Sequence, residues 1–544
     1  MMYFPSGDGP FYFQEQIAQL SWLPNVWESF KGFGENQLPR LWIDYPFRFI
    51  VKLLSALGLE WGVIEKMLWV IAIAIGVVGI YTLTKFVVGR NAAYLAVVLY
   101  ITNTYSLFLF SGGQLGVALA YGLAPLVLLK FIRNEHKGIQ NGLWFALLIM
   151  FDLRLAYVVL GAIILYQGIS RTFRIKDMGI SLVVAAILHA FWILPTLLTG
   201  VGSSTVGEDF TNPGMLKFLS VADFSHSLSL LHPNWPENLF GKVYFLQPEF
   251  LVIPLIAFFS LFFMKKGKNT LLVLYFALLA LIGAFFAKGV NPPFGSIFDW
   301  CFVHIPGFVM FRDPTKFYLF TAIGYAVLIP YILERLSEKS KKMKWMIYVA
   351  FLIFWCFTIR PLFLGTLTGN FKPQSIPQEY IQVKDMLIAD QLPSRTLWIP
   401  SAEKFAYASD IHPVLSLRDV YPNTPLSEVL KMATSSSFLP TLSESGVRYV
   451  IVPSDIEGTM FMTEYKADRT LREHVISVLE ETSLIRRTEY QQIAVFENDQ
   501  FSFYSEIPTV VESQEYWSKI GLLVGGVAFV IFTFIVIKKR TLSH

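Results

Sequence analysis

Apolar runs about as long as a bilayer is thick recur through most of this chain, and they decide what it can fold into. Residues 65–86, 92–110, 115–132, 178–200, 249–264, 270–288, 315–333, 344–360 and 517–537 each read as a helical span, because roughly 20 residues of helix cross the hydrocarbon core. A chain that is 54% hydrophobic and 15% charged has no means of covering that surface by ordinary globular packing. The bilayer is therefore its solvent, and the fold class is a polytopic α-helical membrane protein. Lipid-facing Phe and interfacial Trp and Tyr account for most of the 16% aromatic content. The net charge of +4 is small, with Lys and Arg in short clusters between apolar runs. That is the pattern of cytoplasmic loops and argues against a nucleic-acid partner. Two cysteines, Cys301 and Cys356, make neither a disulfide framework nor a Cys-rich metal site, although the two could pair with each other.

Segment 142–168 is apolar but interrupted by Asp152 and Arg154, and basic loops flank it on both sides. This pattern predicts a re-entrant pair of short helices whose tip, Asp152 to Arg154, faces the bundle interior, since broken backbone at membrane depth must be covered by protein or a wet cavity. It is the one broken segment in the sequence pattern, without a counterpart in the second half. Lys85 with Arg90, Arg171 to Lys176, Lys265 to Lys268, Lys339 to Lys344 and Lys538 to Arg540 mark the cytoplasmic side. The expected organisation follows. Residues 1–63 form a first extracytoplasmic loop with interfacial helices near 25–30 and 41–57. Residues 64–360 are the transmembrane bundle, with outer loops 201–248 and 289–314. Residues 361–516 form an extracytoplasmic α/β domain, 517–537 a C-terminal transmembrane anchor and 538–544 a cytoplasmic tail. The domain is inferred from returning charge and from β-branched runs at 395–400, 447–453 and 492–496, which alternate with helical stretches near 378–390 and 468–482. It carries no phosphate loop, metal spacing or nucleophile elbow. The expected location is the inner (cytoplasmic) membrane. A 63-residue tail outside with no preceding span to carry it there implies either that the first span delivers the tail outward by itself or, the favoured expectation, that the chain begins after a lost first helix.

A few residues could carry chemistry. Gly7-Asp8-Gly9 places a sterically open carboxylate where the chain leaves the outer surface; it could act as a general base on a hydroxyl, or be an ordinary turn. Glu208, Asp209, Asp223, His226, His232 and Glu237 in loop 201–248 could bind acceptor hydroxyls or a divalent cation, or simply be solvated. At the start of the 315–333 span, Asp313 can cap the helix and Pro314 suits its first position. Arg312 and Lys316 there could hold a phosphate at the positive helix end, or snorkel to anionic headgroups. His189, within a span, is a packing residue or a proton relay. Gly112, Gly113, Gly116 and Gly122 allow close helix approach.

Gly7-Asp8-Gly9, the stretch Gly34-Glu35-Asn36-Gln37 leading into Pro46-Phe47, Leu216-Lys217-Phe218-Leu219-Ser220 through Pro233-Asn234-Trp235-Pro236-Glu237-Asn238, and Phe311-Arg312-Asp313-Pro314-Thr315-Lys316-Phe317 together resemble the GT-C superfamily of membrane glycosyltransferases. The branch they resemble is that of the α-(1→3)-arabinofuranosyltransferases, and the similarity covers roughly residues 1–335. The outer domain, with Val447-Arg448-Tyr449-Val450-Ile451-Val452, is similar to domains appended to such enzymes. The resemblance implies a GT-C-like helical bundle and transfer of a sugar from a polyprenyl-phosphate-linked donor to a glycan acceptor of the cell envelope, with membrane lipids as surroundings. It also implies Asp8 as catalytic base, in the place of the family's acid in the first outer loop. The sequence departs from the pattern in lacking the first span and in showing one acid where many members show two. A transporter or flippase of lipid-linked glycans and a non-catalytic envelope-assembly scaffold are the competing readings. Transporters usually show broken helices in matching positions of two halves.

Overall fold

The computed structural model describes residues 1–133, 137–200, 213–230, 248–264, 270–338, 341–402, 404–433, 437–453, 469–502 and 509–541. The chain forms two compact units. One comprises Met1–Glu65, Leu194–Thr199 and Pro373–Lys519; the other comprises Lys66–Ile193, Gly200–Lys372 and Ile520–His544.

The second unit is helical. Among the described residues, six helices are long and apolar enough to cross a bilayer, or up to eight if each of two bent pairs is one span. The six are Trp61–Val87, Leu115–Ile132, Leu153–Ser170, Thr270–Ala287, Pro314–Leu336 and Val511–Lys538. The protein is thus a multi-pass membrane protein built as a helical bundle. Pro314–Leu336 is the bundle's central helix, with 94% of its most apolar window buried inside the protein, whereas that of the C-terminal helix is only 11% buried. The latter must meet lipid on nearly every face. Close approach rests on small residues. A Cβ on Gly122 would stand 2.7 Å from the Ala72 carbonyl oxygen and 2.9 Å from the Gly76 nitrogen, so the Trp61–Val87 and Leu115–Ile132 helices touch backbone to backbone there.

Among the described residues, three interruptions fall at Asp152, Asn103 and His189. At Asp152 the Gly138–Phe151 and Leu153–Ser170 helices meet, so the expected break is there, but Leu153–Ser170 is by itself long and apolar enough to cross a bilayer, which corrects the reading of a re-entrant pair of short helices. The expected spans 92–110 and 178–200 are each broken as well, a correction to the reading of a single interruption. Arg90–Thr102 and Thr104–Ser111 meet at 43°, and Ile175–Leu188 and Ala190–Thr199 at 83°. The first break has a polar cause. The Asn103 side chain accepts from Ser106 N–H and donates to the Leu99 and Tyr100 carbonyls and the Tyr121 hydroxyl, satisfying backbone that the helix leaves open. At the second, His189 Nδ1 accepts from the Trp192 indole at 3.0 Å, which leaves Nε2 as donor to the Ala146 carbonyl at 2.9 Å. His189 is a hydrogen-bonded packing residue there. Both cysteines are free.

In the first unit a five-stranded sheet runs β4–β3–β5–β7–β6. Its strands are β3 (Arg395–Trp398), β4 (Val414–Ser416), β5 (Val447–Val452), β6 (Ile485–Arg487) and β7 (Ala494–Glu497). β3 is parallel to β4 and β5, and β7 is antiparallel to β5 and β6. Strand period assigns its faces. Val450 and Val452 join a core with the Leu426–Ala433, Phe438–Glu444 and Arg469–Glu480 helices. Tyr449 and Ile451 join another with Phe13 and the Gln378–Ala389 helix. Phe13 shows that the N-terminal segment belongs to this unit, and further bonds agree. Tyr3 exchanges backbone hydrogen bonds with Gln374, and Gly32 N–H donates to the Val414 carbonyl. A short hairpin, β1 (Trp27–Glu28) with β2 (Glu35–Asn36), stands where 25–30 reads as a helix. The run is too short to pay helix nucleation, Asn25 Oδ1 accepts from Trp27 N–H, and Gly34 at φ +101 lies so close over the Trp27 ring that only glycine fits. The helix expected at 41–57 is present as Leu41–Ala56, with Phe49, Leu53 and the following Leu57 exposed.

Candidate functional site

Asp8 sits at the tip of a moored loop in the first unit. Gly9 N–H donates to the Ser6 carbonyl at 3.1 Å, closing a turn in which Gly7 takes φ 58. Before the turn, Phe4 N–H is bonded to both carboxylate oxygens of Glu65, at 3.2 and 3.0 Å, and Glu65 is 3% exposed. After it, the Gly9 carbonyl accepts from Lys404 Nζ at 3.1 Å, and Phe11 meets Tyr3 and Phe405 edge to face. Asp8 itself is exposed. The turn reading of Asp8 is what the structure shows, with its carboxylate at the solvent-exposed tip. Glu65 and Lys404 are residues that sequence reasoning missed; the legible signal was an ionisable residue at the edge of an apolar run.

The second unit gathers ionisable residues where the N-terminal ends of three helices meet. Asp152, fully buried, caps the Leu153–Ser170 helix by accepting from Leu155 N–H at 2.9 Å and holds Arg154 at 2.6 Å. Asp313 caps the turn Pro314–Phe317 through Thr315 N–H and the Thr315 hydroxyl, with Pro314 in the first position as the sequence suggests. Lys316 Nζ lies 2.7 Å from Asp313 and donates to Gln114, the residue capping Leu115–Ile132, at 3.4 Å. Pro314–Phe317 packs on the Leu153–Ser170 helix, which brings Arg154 into electrostatic reach of Asp313, Tyr105 and Arg312.

The members differ in how far they are committed. Lys316 is 1% exposed and occupied by Asp313 and Gln114. Burial pushes the Asp313 carboxyl up, but Lys316 and the Thr315 donors outweigh it and hold Asp313 well below the usual carboxylate range. Arg312 is half-buried, and both burial and the neighbouring Arg154 guanidinium pull it below the ordinary value. The Arg154 and Arg312 charges thus repel each other, and among the described residues Arg154, Arg312 and Lys316 exceed Asp152 and Asp313 by one positive charge. An anion would relieve that repulsion. Arg154, read from sequence only as the tip of a broken helix, is the cation that reading missed for this site.

Of the loop residues, Glu208, Asp209, His232 and Glu237 lie outside the described residues. Asp223 caps Phe224–Leu228, accepting from His226 N–H at 2.8 Å and from the Ser225 hydroxyl. Burial raises its carboxyl, and these donors outweigh that and lower it. His226 is 3% exposed, with Nδ1 2.8 Å from Asp223. The loop is tied to the Arg312–Lys316 end. Asn291 donates to the Ser220 and Ala222 carbonyls, and a Cβ on Gly289 would touch both Ser220 Oγ and Pro314. Among the described residues no group of three or more His, Cys, Asp or Glu gathers as a metal site.

These features define a polytopic membrane bundle of GT-C-like fold with a small α/β domain and a C-terminal apolar helix. No family model matches the chain, and no curated protein does. Among solved structures it is similar to arabinofuranosyltransferase AftD from Mycobacteria, with 16% identity and a TM-score of 0.58 over 91% of this chain and 38% of that one. Two classes of a point mutant of AftD match with TM-scores of 0.60 and 0.54 at 14% identity, each over 40% of that chain. The chain thus spans about two fifths of the length of the structures it matches.

Proposed function

We propose that this protein is a GT-C-type glycosyltransferase that moves a sugar from a polyprenyl-phosphate-linked donor to a cell-envelope glycan at the outer face of the cytoplasmic membrane. The observation that carries the reading is the excess of positive charge at Arg154 and Arg312 within a membrane bundle, in a fold like that of an arabinofuranosyltransferase. In this mechanism the Asp8 carboxylate takes the proton of an acceptor hydroxyl, and the resulting oxygen forms a bond to the anomeric carbon of the donor sugar. The bond from that carbon to the phosphate oxygen breaks, and the lipid phosphate leaves with the electron pair. Arg312 and Arg154 of the helical unit are the groups we assign to the lipid phosphate; Lys316 orders Asp313 and the helix end around them.

The test is Asp8→Asn, which keeps shape and removes basicity. Sugar transfer from a polyprenyl-phosphate donor should fall by about 100-fold or more while donor binding persists. Unchanged transfer removes Asp8 from the mechanism. The competing reading is transport of a lipid-linked glycan, although both bent helix pairs lie before residue 200 and do not occupy matching positions of two halves. It predicts a loss of glycan export with every linkage still made.

A further inference from the structure

The first unit contains a cavity of about 90 Å³ that the proposed mechanism does not use. It lies between the Gln14–Gln19 helix, the Leu41–Ala56 helix and residues 408–410. Its volume is enough for several waters, or for one sugar ring that takes their place. Three features of its wall select the guest.

The first is an unsatisfied acceptor. Gln37 is 2% exposed, and its Nε2 donates to Glu35 at 3.1 Å, but its Oε1 has no hydrogen-bond partner among the described residues. A buried amide oxygen without a donor costs about 1–3 kcal/mol, which a ligand hydroxyl would recover. The second is the mixture of groups. Gln16, Gln19 and Asn25 line it with amides already engaged in part, Gln16 with Phe13 N–H and the Ala408 carbonyl, Gln19 with Tyr407 and Asn25 with Trp27 N–H, and Tyr12 and Tyr45 line it with rings whose hydroxyls meet Arg48 and the Trp22 carbonyl. Amides and phenols both donate and accept, as a hydroxyl does, and an aromatic ring gives the apolar face of a sugar something to lie on. The third is charge. Arg48 is paired with Glu28 at 2.7 Å, and Asp44 and Asp410 also line the space. Even with Arg40 reaching Asp44 at 3.5 Å, carboxylates outnumber guanidiniums, so the wall repels phosphates and uronates.

We infer that this cavity is a binding subsite for a neutral sugar ring. It takes the ring through hydroxyl bonds to the Gln37 oxygen and the Tyr12 hydroxyl, and it excludes anionic sugars. Its role as a place for the acceptor glycan rests on the glycosyltransferase reading; occupancy by a neutral sugar does not.

The experiment is saturation-transfer NMR on the full chain in detergent, without donor, using a neutral methyl pentofuranoside, a neutral methyl hexopyranoside, a uronic acid and an amino sugar as separate probes. At least one neutral glycoside should bind with Kd about 1 mM. Gln37→Leu and Tyr12→Phe should each weaken it about tenfold with the thermal transition unchanged. If Gln37→Leu fails to fold, Tyr12→Phe alone decides. Binding that is indifferent to the folded variants overturns the proposal, as does preference for the uronic acid or the amino sugar, or the absence of neutral-glycoside binding up to the solubility of the probes. Because binding is read here without donor on Gln37→Leu and Tyr12→Phe, and transfer is read above on Asp8→Asn, failure of one proposal leaves the other standing.

Discussion

Arg312 and Lys316 carry the same formal charge four residues apart, yet the structure gives them opposite roles, and two substitutions separate them. Lys316 is 1% exposed and bound to Asp313 at 2.7 Å. Removing one partner of a buried pair costs about 3–5 kcal/mol. Asp313 is 24% exposed and keeps two bonds from Thr315, so the cost for Lys316→Met should shrink to about 2–3 kcal/mol once solvent screening is counted. Adding Asp313→Asn removes the stranded charge, and the double variant should recover about 1 kcal/mol or more of that loss. Arg312 is half-buried beside Arg154, with positive charge in excess around it. Arg312→Lys keeps charge but loses the planar fork, and a lost charge-assisted bond to phosphate is worth about 1.5 kcal/mol, or roughly tenfold in donor affinity. Thermal unfolding and donor affinity, measured on all variants in one detergent and salt, provide the assay. Arg312→Lys should bind more weakly and melt like the parent; Lys316→Met should melt lower. Equal donor affinity for Arg312→Lys and the parent returns Arg312 to headgroup snorkelling. An unchanged melting point for Lys316→Met refutes the assignment of Lys316 to Asp313.

Helix contact is testable at Gly283, where an added Cβ would stand 2.6 Å from Phe320 Cβ and 2.7 Å from the Thr321 nitrogen. Gly283→Leu should destabilise the bundle by about 1–3 kcal/mol or more, whereas Gly526→Ala, with nothing within 4 Å, should be silent in the same melt. In the first unit, Glu379 accepts from the backbone N–H groups of Gln491, Gln492 and Ile493, which outweigh burial and lower its carboxyl. A depressed folded value means that this stabilisation is complete above the unfolded value of about 4.3 and is lost as pH falls through the folded one. Glu379→Gln should therefore flatten the acid side of the stability profile in urea unfolding, and an unaltered profile would remove Glu379 from it. For topology, a variant without Cys301 and Cys356 should react with an impermeant thiol reagent in intact cells when Ser427→Cys is added and should stay protected with Thr172→Cys; the reverse pattern would invert the orientation read from Lys and Arg placement.

What the sequence discloses about this fold depends on whether the cause is local. Apolar length is local, so the spans are visible, and strand alternation is local, so β3, β5 and β7 fall on the runs at 395–400, 447–453 and 492–496. The bends are less visible because their cause is a side chain's choice of partner. Asn103 could have faced solvent at a helix end; only contact with Tyr121 makes it a break. The union of the N-terminal segment with the sheet is less visible still. Phe13 enters a core whose other members lie beyond residue 379, and nothing in the pattern of either stretch names the other.

The same distinction explains the candidate site. Asp313 and Pro314 announce a helix start because capping is a short-range rule, and the structure finds them doing it. That Lys316 is spent on Asp313 was within reach of the same rule, since residues three apart share a helix face. Arg154 was not. Its importance comes from the meeting of two chain segments about 160 residues apart, and its own neighbourhood in sequence offers only Asp152 as a partner. A buried ion pair at a helix break reads as self-sufficient until a second guanidinium is placed beside it. The excess charge among the described residues, on which the proposed phosphate binding rests, is a property of the pair Arg154 and Arg312 and belongs to neither residue alone. This is why neutralising Arg154 should relax the repulsion on Arg312 even as it removes a donor, so the two arginines should contribute less than additively to donor affinity.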